Sequence, residues 1–341
     1  MGQNLLNLLE INHFMTAVDK NDPWFSLGLF FAASFLMIWR LGALEKNGLE
    51  GTVLGTLIMP YCSGLSNLIF AYFMGFSGGN GTLVLENCLV NNVTNLTLLI
   101  GLPAIFWSMH IIPSKSGKKK INRNQDKTNQ LNRLAVLLTL IGMLFFTGVL
   151  WALARDKRLD LADGLVLVGL FFFWQIFHIF EVLKTNVRQE RRLPWLMIID
   201  IVLIIAGGYG VYNSIESLVT WISHQGTGIF VFKNLGWLSG FLMVMPNGLM
   251  AFYYAKISRP DIVYSSQIGD GHICIPMCVG LFALFKAIQI PVYFQLSIFI
   301  LLGAGILHFF FILILGRLPR FMGIILTGAY LVFLYKGLIS P

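Results

Sequence analysis

The chain has 341 residues, of which 56% are hydrophobic and 12% charged, with a formal net charge of +8. Water-soluble domains carry about 25% charged residues, so this composition excludes a soluble globular protein. The basic excess lies in short polar connections between long apolar blocks, where it reads as a topology signal rather than a nucleic-acid surface.

Residues 1–23 form an N-terminal segment with no basic run ahead of the first apolar block, so no signal peptide is expected. Within it, Leu5, Leu6, Leu8, Leu9 and Ile11 predict a short interfacial helix. Ten apolar blocks follow, at about 24–44, 50–74, 83–109, 134–154, 161–183, 195–220, 229–255, 262–285, 289–315 and 318–338. Each is long enough to cross about 30 Å of hydrocarbon as a helix. The polar run 114–133, with Lys118, Lys119 and Lys120, reads as a flexible loop between the third and fourth blocks. Asn80-Gly81-Thr82 is a glycosylation sequon in the connection before the third block. Cys62, Cys88, Cys274 and Cys278 all fall inside apolar blocks and read as packing residues. No Cys/His set has zinc spacing.

An internal repeat divides the chain. The fifth block opens with Arg158-Leu159 followed by Gly164, Leu167 and Gly169; the tenth opens with Arg317-Leu318 followed by Gly323, Leu326 and Gly328, each pair 159 residues apart. Five blocks per half is an odd number, so the second half lies upside down relative to the first. The predicted fold is all-α integral membrane: ten transmembrane helices as two inverted five-helix repeats, residues 24–184 and 195–341. With the N-terminus outside, the inner side holds 17 of the Lys and Arg residues and the outer side 7. This bias predicts both termini outside and the 114–133 loop in the cytoplasm, in a plasma or inner membrane.

In such repeats the substrate site lies near the bilayer midplane on interrupted helices of both halves. The second block has Pro60, followed by Tyr61, Ser63, Ser66 and Asn67; the seventh has Pro246-Asn247-Gly248 at similar depth. A mid-helix proline removes a backbone hydrogen bond and frees a carbonyl, which an ion can use, so Pro60 and Pro246 are expected helix breaks. The third block carries Asn87, Asn91 and Asn95, spaced i, i+4 and i+8 on one helical face. Their counterparts 179 residues on are Ser266, Asp270 and Cys274. Polar groups at such depth are costly in lipid and are expected to line an internal cavity. Asp270, about 12 Å into its block at 1.5 Å per residue, is the expected principal charged group. His272 lies on another face and reads as structural. Glu86, Asp163, Glu181 and Asp200 lie nearer block ends, where water is expected to solvate them.

These features resemble the cation/calcium antiporter superfamily, which includes sodium/calcium and cation/proton exchangers. Its members have ten spans in two inverted halves, each with an alpha-repeat on its second and third spans. The first repeat would be Gly55 to Gly101, with Met59-Pro60-Tyr61 and the run from Glu86 to Asn95. The second would be Gly240 to Gly280, with Met245-Pro246-Asn247 and the run from Ser265 to Gly271. The glutamates that hold calcium in the family would follow the two prolines, where this chain has Tyr61 and Asn247. The resemblance therefore implies a secondary active cation antiporter, not an enzyme, with an altered site of Asp270, Asn91, Asn95, Asn87, Asn247, Tyr61, Ser63 and Ser266. Its partners would be the lipid bilayer and small inorganic cations or protons, with bound Na+ or another cation in place of any organic cofactor. A lone carboxylate among amides suits a monovalent cation or proton better than calcium. Two alternatives stand beside this reading. One is a transport-inactive sensor or assembly partner of the same fold. The other is an intramembrane enzyme built on the acidic pair Asp156 and Asp160, which lacks a second acidic cluster.

Overall fold

In a computed structural model of the chain, residues 22–46, 59–107, 109–111, 123–187, 197–224 and 231–339 are described. The expected interfacial helix and Lys118–Lys120 lie outside them. The described chain is helical almost throughout, as a backbone in hydrocarbon must be when its polar groups can be satisfied only within the segment. The helices are α1 (Pro23–Lys46), α2 (Met59–Phe76), α3 (Gly81–Phe106), α4 (Arg123–Leu153), α5 (Leu161–Val187), α6 (Met197–Ser223), α7 (Leu235–Lys256), α8 (Pro260–Ile273, then a π-helical turn Cys274–Val279, then Gly280–Phe285), α9 (Phe294–Leu315) and α10 (Arg320–Leu334). Seven are long and apolar enough to cross a membrane; the apolar stretches Gly64–Phe76 in α2 and Leu161–Phe177 in α5 are shorter.

Local chemistry sets the ends. Asn80 caps α3, its side chain accepting from the Thr82 amide at 3.0 Å. Pro260 occupies the first turn of α8, where its missing N–H costs nothing. Gly316, at φ 62°, ends α9 in the left-handed region that glycine adopts without strain. Arg133 donates to the carbonyls of Ile312 and Leu313 and so satisfies the last turn of α9 from α4.

Two expectations change. Helix α4 begins at Arg123, so part of the predicted 114–133 loop is helical; a helix satisfies its own backbone and can continue past the hydrocarbon into water. The expected break at Pro246 is absent, because α7 runs through it. Pro60 lies in the first described turn of α2. The departure from α geometry falls instead on α8, where the π turn contains Pro276. A π turn inserts a residue and re-spaces the backbone hydrogen bonds around the proline.

Four two-residue strands link the halves. β1 (Met109–His110) follows α3 and pairs antiparallel with β4 (Arg317–Leu318), which precedes α10. β2 (Arg158–Leu159) precedes α5 and pairs with β3 (Ile288–Gln289), which follows α8. At the first pair Arg317 donates to His110 Nε2 at 3.3 Å. Partial burial and the Arg317 charge hold His110 below its ordinary pKa, so it is neutral at pH 7 and can accept.

Pairs of helices approach closely at glycines. A Cβ on Gly323 of α10 would lie 2.6 Å from the Gly101 carbonyl oxygen of α3, and one on Gly101 would lie 3.0 Å from the Gly323 oxygen. Gly164 of α5 and Gly280 of α8 repeat this reciprocal contact at 3.0 and 3.1 Å. Close approach at small residues is how membrane helices gain packing where lipid offers no hydrophobic drive.

Candidate functional site

Asp270 stands ten residues from the start and fifteen from the end of the rod Pro260–Phe285, and it is completely buried. Facing it are the polar stripe of α3 and the middle of α7. Asn95 Nδ2 donates to Asp270 Oδ2 at 2.8 Å and to Asn91 Oδ1 at 2.9 Å. Asn247 Nδ2 donates to the same Asp270 oxygen at 3.3 Å. Asn91 in turn donates to Asn67 Oδ1 of α2 at 3.3 Å. The carboxyl is thus met by amides from both halves of the chain. Gly64 of α2 closes the site from above: a Cβ there would lie 3.2 Å from Asp270 Oδ1 and 3.1 Å from Ile273.

The neighbouring polar groups are ordered around this centre. Gln267 donates to the Asn247 carbonyl at 3.3 Å and to Ser266 Oγ at 3.0 Å. The Ser266 hydroxyl donates to its own helix at Val263, 3.2 Å away. Asn87 lies outside the Asp270 cluster, two turns back along α3 from Asn95, donating to Ser239 Oγ at 3.0 Å and Met243 Sδ at 3.3 Å. The side chains of Pro60, Tyr61 and Ser63 lie outside the described residues. Several buried amide oxygens lack a hydrogen-bond partner, among them Asn87 Oδ1, Asn95 Oδ1 and Gln267 Oε1. An unmatched buried acceptor is costly, and a bound cation or water would satisfy it.

Around the centre, His272 is held on both ring nitrogens. Trp174 Nε1 of α5 donates to its Nδ1 at 3.0 Å, and its Nε2 lies 2.7 Å from the Thr139 carbonyl of α4. This arrangement specifies the tautomer protonated on Nε2 and pins α8 against two helices. The free thiols of Cys88, Cys274 and Cys278 meet at the α3–α8 contact, one turn from Asp270. Residues absent from the expected site are Asn67, Gly64 and Gln267. Asn67 follows Pro60 by two turns, Gly64 by one, and Gln267 precedes Asp270 by three residues, so helical spacing carried a signal for each. Glu86 departs from expectation: 8% exposed, it is buried within the bundle rather than solvated. Asp200 is also buried, and pairs with Arg40 of α1 at 3.4 Å.

A helical bundle with seven helices able to cross a membrane is a multi-pass membrane protein, and this one buries an amide-lined acid at its centre. The sodium/calcium exchanger protein family matches residues 24–180, the first half of the chain. Solved structures of the sodium-calcium exchanger NCX_Mj share the fold over nearly the whole length. One, soaked with Na+ and 10 mM Sr2+, aligns at a TM-score of 0.64 with 18% identity, covering 92% of this chain and 96% of that chain. Another, soaked with Na+ and 0.1 mM Ca2+, aligns at 0.62 with 17% identity over 92% and 96%. A third, soaked with neither Na+ nor Ca2+, aligns at 0.62 with 17% identity over 91% and 96%. No curated protein matches the sequence. The chain is thus similar to the sodium/calcium exchanger family over its first half and shares the fold of a sodium-calcium exchanger over nearly its whole length.

Proposed function

We propose that the chain is a secondary active cation antiporter of ten spans in two inverted repeats, with its exchange site built on Asp270. The observation that carries this is the fully buried Asp270 carboxyl, which accepts from Asn95 of the first half and Asn247 of the second. A buried carboxyl must be protonated, hydrogen-bonded or paired with a cation. In exchange these states alternate: a cation displaces the amide donors, and Asn95 Oδ1, unpartnered here, is one oxygen it would gain. The repeat reading is supported by the strands, because an exchange of halves turns the β1–β4 pair into the β3–β2 pair. The reciprocal glycine contacts follow the same exchange, Gly101 with Gly323 and Gly280 with Gly164.

The solved structures that share the fold are of a sodium-calcium exchanger. In this chain the ion set favoured is a monovalent cation or a proton. Calcium takes six to eight oxygens, usually including several carboxylates, whereas Tyr61 and Asn247 occupy the positions where the resemblance puts two glutamates. Purified protein in proteoliposomes is therefore expected to move Na+, K+ or protons against one another, with calcium uptake at background. Calcium-dependent thermal stabilisation of the wild-type protein that disappears in Asn247→Ala would overturn the ion assignment.

The orientation follows the 17-to-7 distribution of basic residues. A cysteine placed at Ser340 is expected to react with an impermeant maleimide in intact cells, and one placed at Ser116 only after permeabilisation. The reverse pattern would invert the topology.

A further inference from the structure

We propose that Asn67 is a specificity-determining residue of the exchange site, a role that rests on the antiporter reading and on Asp270 as its centre. Its neutral amide keeps a second negative charge out of the site and so holds it to singly charged cations. Asn67, Asn91, Asn95 and Asp270 are all fully buried and are joined end to end, and the Asp270 carboxylate fixes the direction of the chain. Facing an acceptor, Asn95 turns its Nδ2 toward Asp270, 2.8 Å away, and the same nitrogen donates to Asn91 Oδ1 at 2.9 Å. Asn91 therefore presents its Nδ2 to Asn67, whose Oδ1 accepts at 3.3 Å. Asn67 is left at the end of the chain with its own Nδ2 buried and without a hydrogen-bond partner.

The amides of the site thus divide into two kinds. Asn91, Asn95 and Asn247 each donate from Nδ2, so a carboxylate at any of the three would break a hydrogen bond. At Asn67 the amide nitrogen makes none. A carboxylate of the same shape would accept from Asn91 in the same way and would remove a buried donor that is costly when unpaired. What separates the two side chains at this position is charge.

Residue 67 is close enough to Asp270 for that charge to act on the same ion. Gly64, one turn earlier on the same face of α2, would carry a Cβ 3.2 Å from Asp270 Oδ1. Residues three apart on a helix have Cβ atoms about 5–6 Å apart, so acids at 67 and 270 would lie within reach of one calcium ion, whose oxygens coordinate at about 2.3–2.6 Å. The second half of the chain has no matching amide. Asn67 follows Pro60 by seven residues, and seven residues past Pro246 stands Tyr253, which is exposed.

The test is a titration of the purified full-length protein with NaCl and, separately, CaCl2 at constant ionic strength against choline chloride, read as the midpoint of thermal unfolding. The wild type is expected to respond to Na+ and not to calcium. Asn67→Asp is expected to gain a calcium response, with a half-effective concentration at least about tenfold below any wild-type value. The double variant Asn67→Asp/Asp270→Asn keeps the total charge of the site and moves it to α2. It is expected to regain a Na+ response that Asp270→Asn alone has lost, still without calcium. An Asn67→Asp protein that folds and gains no calcium response overturns the proposal, as does a wild type that already responds to calcium. Should Asn67→Asp fail to fold, the double variant decides: a regained Na+ response supports the assignment, and no response, or no folded protein, overturns it. Asp270→Asn, run alone, separates the two readings. A Na+ response lost in Asp270→Asn, with neither gain at residue 67, removes Asn67 and leaves the Asp270 site standing. A wild-type Na+ response in Asp270→Asn, or a wild type indifferent to Na+, overturns both.

Discussion

Asp270→Asn is expected to lower ion-coupled flux in proteoliposomes by about 100-fold, equivalent to about 2.7 kcal/mol, without unfolding the protein. The side chains are nearly the same size, and an asparagine oxygen at 270 can still accept from Asn95, now 2.8 Å from Asp270 Oδ2. What disappears is the charge. A cation crossing the midplane loses its hydration, and amide oxygens alone replace it weakly. The change keeps the side-chain volume and removes the cost of burying a charge, so the thermal midpoint of Asp270→Asn should equal or exceed that of the wild type. Wild-type flux in a well-folded Asp270→Asn protein would place the exchange site elsewhere and leave the amide stripe as helix packing.

The second large effect is expected at Gly323. Alanine there would bring its Cβ to 2.6 Å from the Gly101 carbonyl oxygen, 3.0 Å from Ile105 and 3.2 Å from Ala104. Two of these neighbours are backbone or Cβ atoms that cannot rotate away, so α10 must move off α3. Overpacking of this kind costs about 1–3 kcal/mol, and the thermal midpoint should fall by several degrees. Gly328, one and a half turns further along α10, supplies the control, because nothing lies within 4 Å of a Cβ there. Gly328→Ala is expected to be neutral or stabilising by up to about 1 kcal/mol, since alanine is the better helix former. Equal effects at the two positions would mean that the α3–α10 contact is looser than its geometry.

The repeat in the sequence, Gly164 with Gly323 and Gly169 with Gly328, contains both kinds of glycine, and the sequence does not separate them. Packing does: the first pair meets carbonyls of neighbouring helices, while the second has nothing within reach. The helices themselves were legible because hydrocarbon demands long apolar runs, and the amide stripe because i, i+4, i+8 spacing fixes one face. Asp270 stood out by its depth, and the structure brings it together with Asn91, Asn95 and Asn247. The two-residue strands were not legible, since two residues carry no periodicity and pairing across half the chain leaves no local mark. The prolines misled for a related reason. Proline signals the loss of one hydrogen bond, but whether the helix breaks, continues as at Pro246, or widens as at Pro276 depends on neighbouring helices. Glu86 was misplaced because distance from a helix end does not report which helix lies over it; Gly236 and Tyr293 cover it from other parts of the chain.

The exchange of strands between halves bears on how the protein is made. His110 and Arg317, which meet at one pair, are separated by 207 residues. At ribosomal rates of about 5–20 residues per second, His110 waits on the order of ten to forty seconds for its partner to be synthesised. Through that interval the amides of the first half lack the acid and the facing helix that engage them in the finished protein. The nascent first half is therefore an open template in the bilayer, a period in which a chaperone or insertase can hold it and in which a second nascent chain can mispair with it.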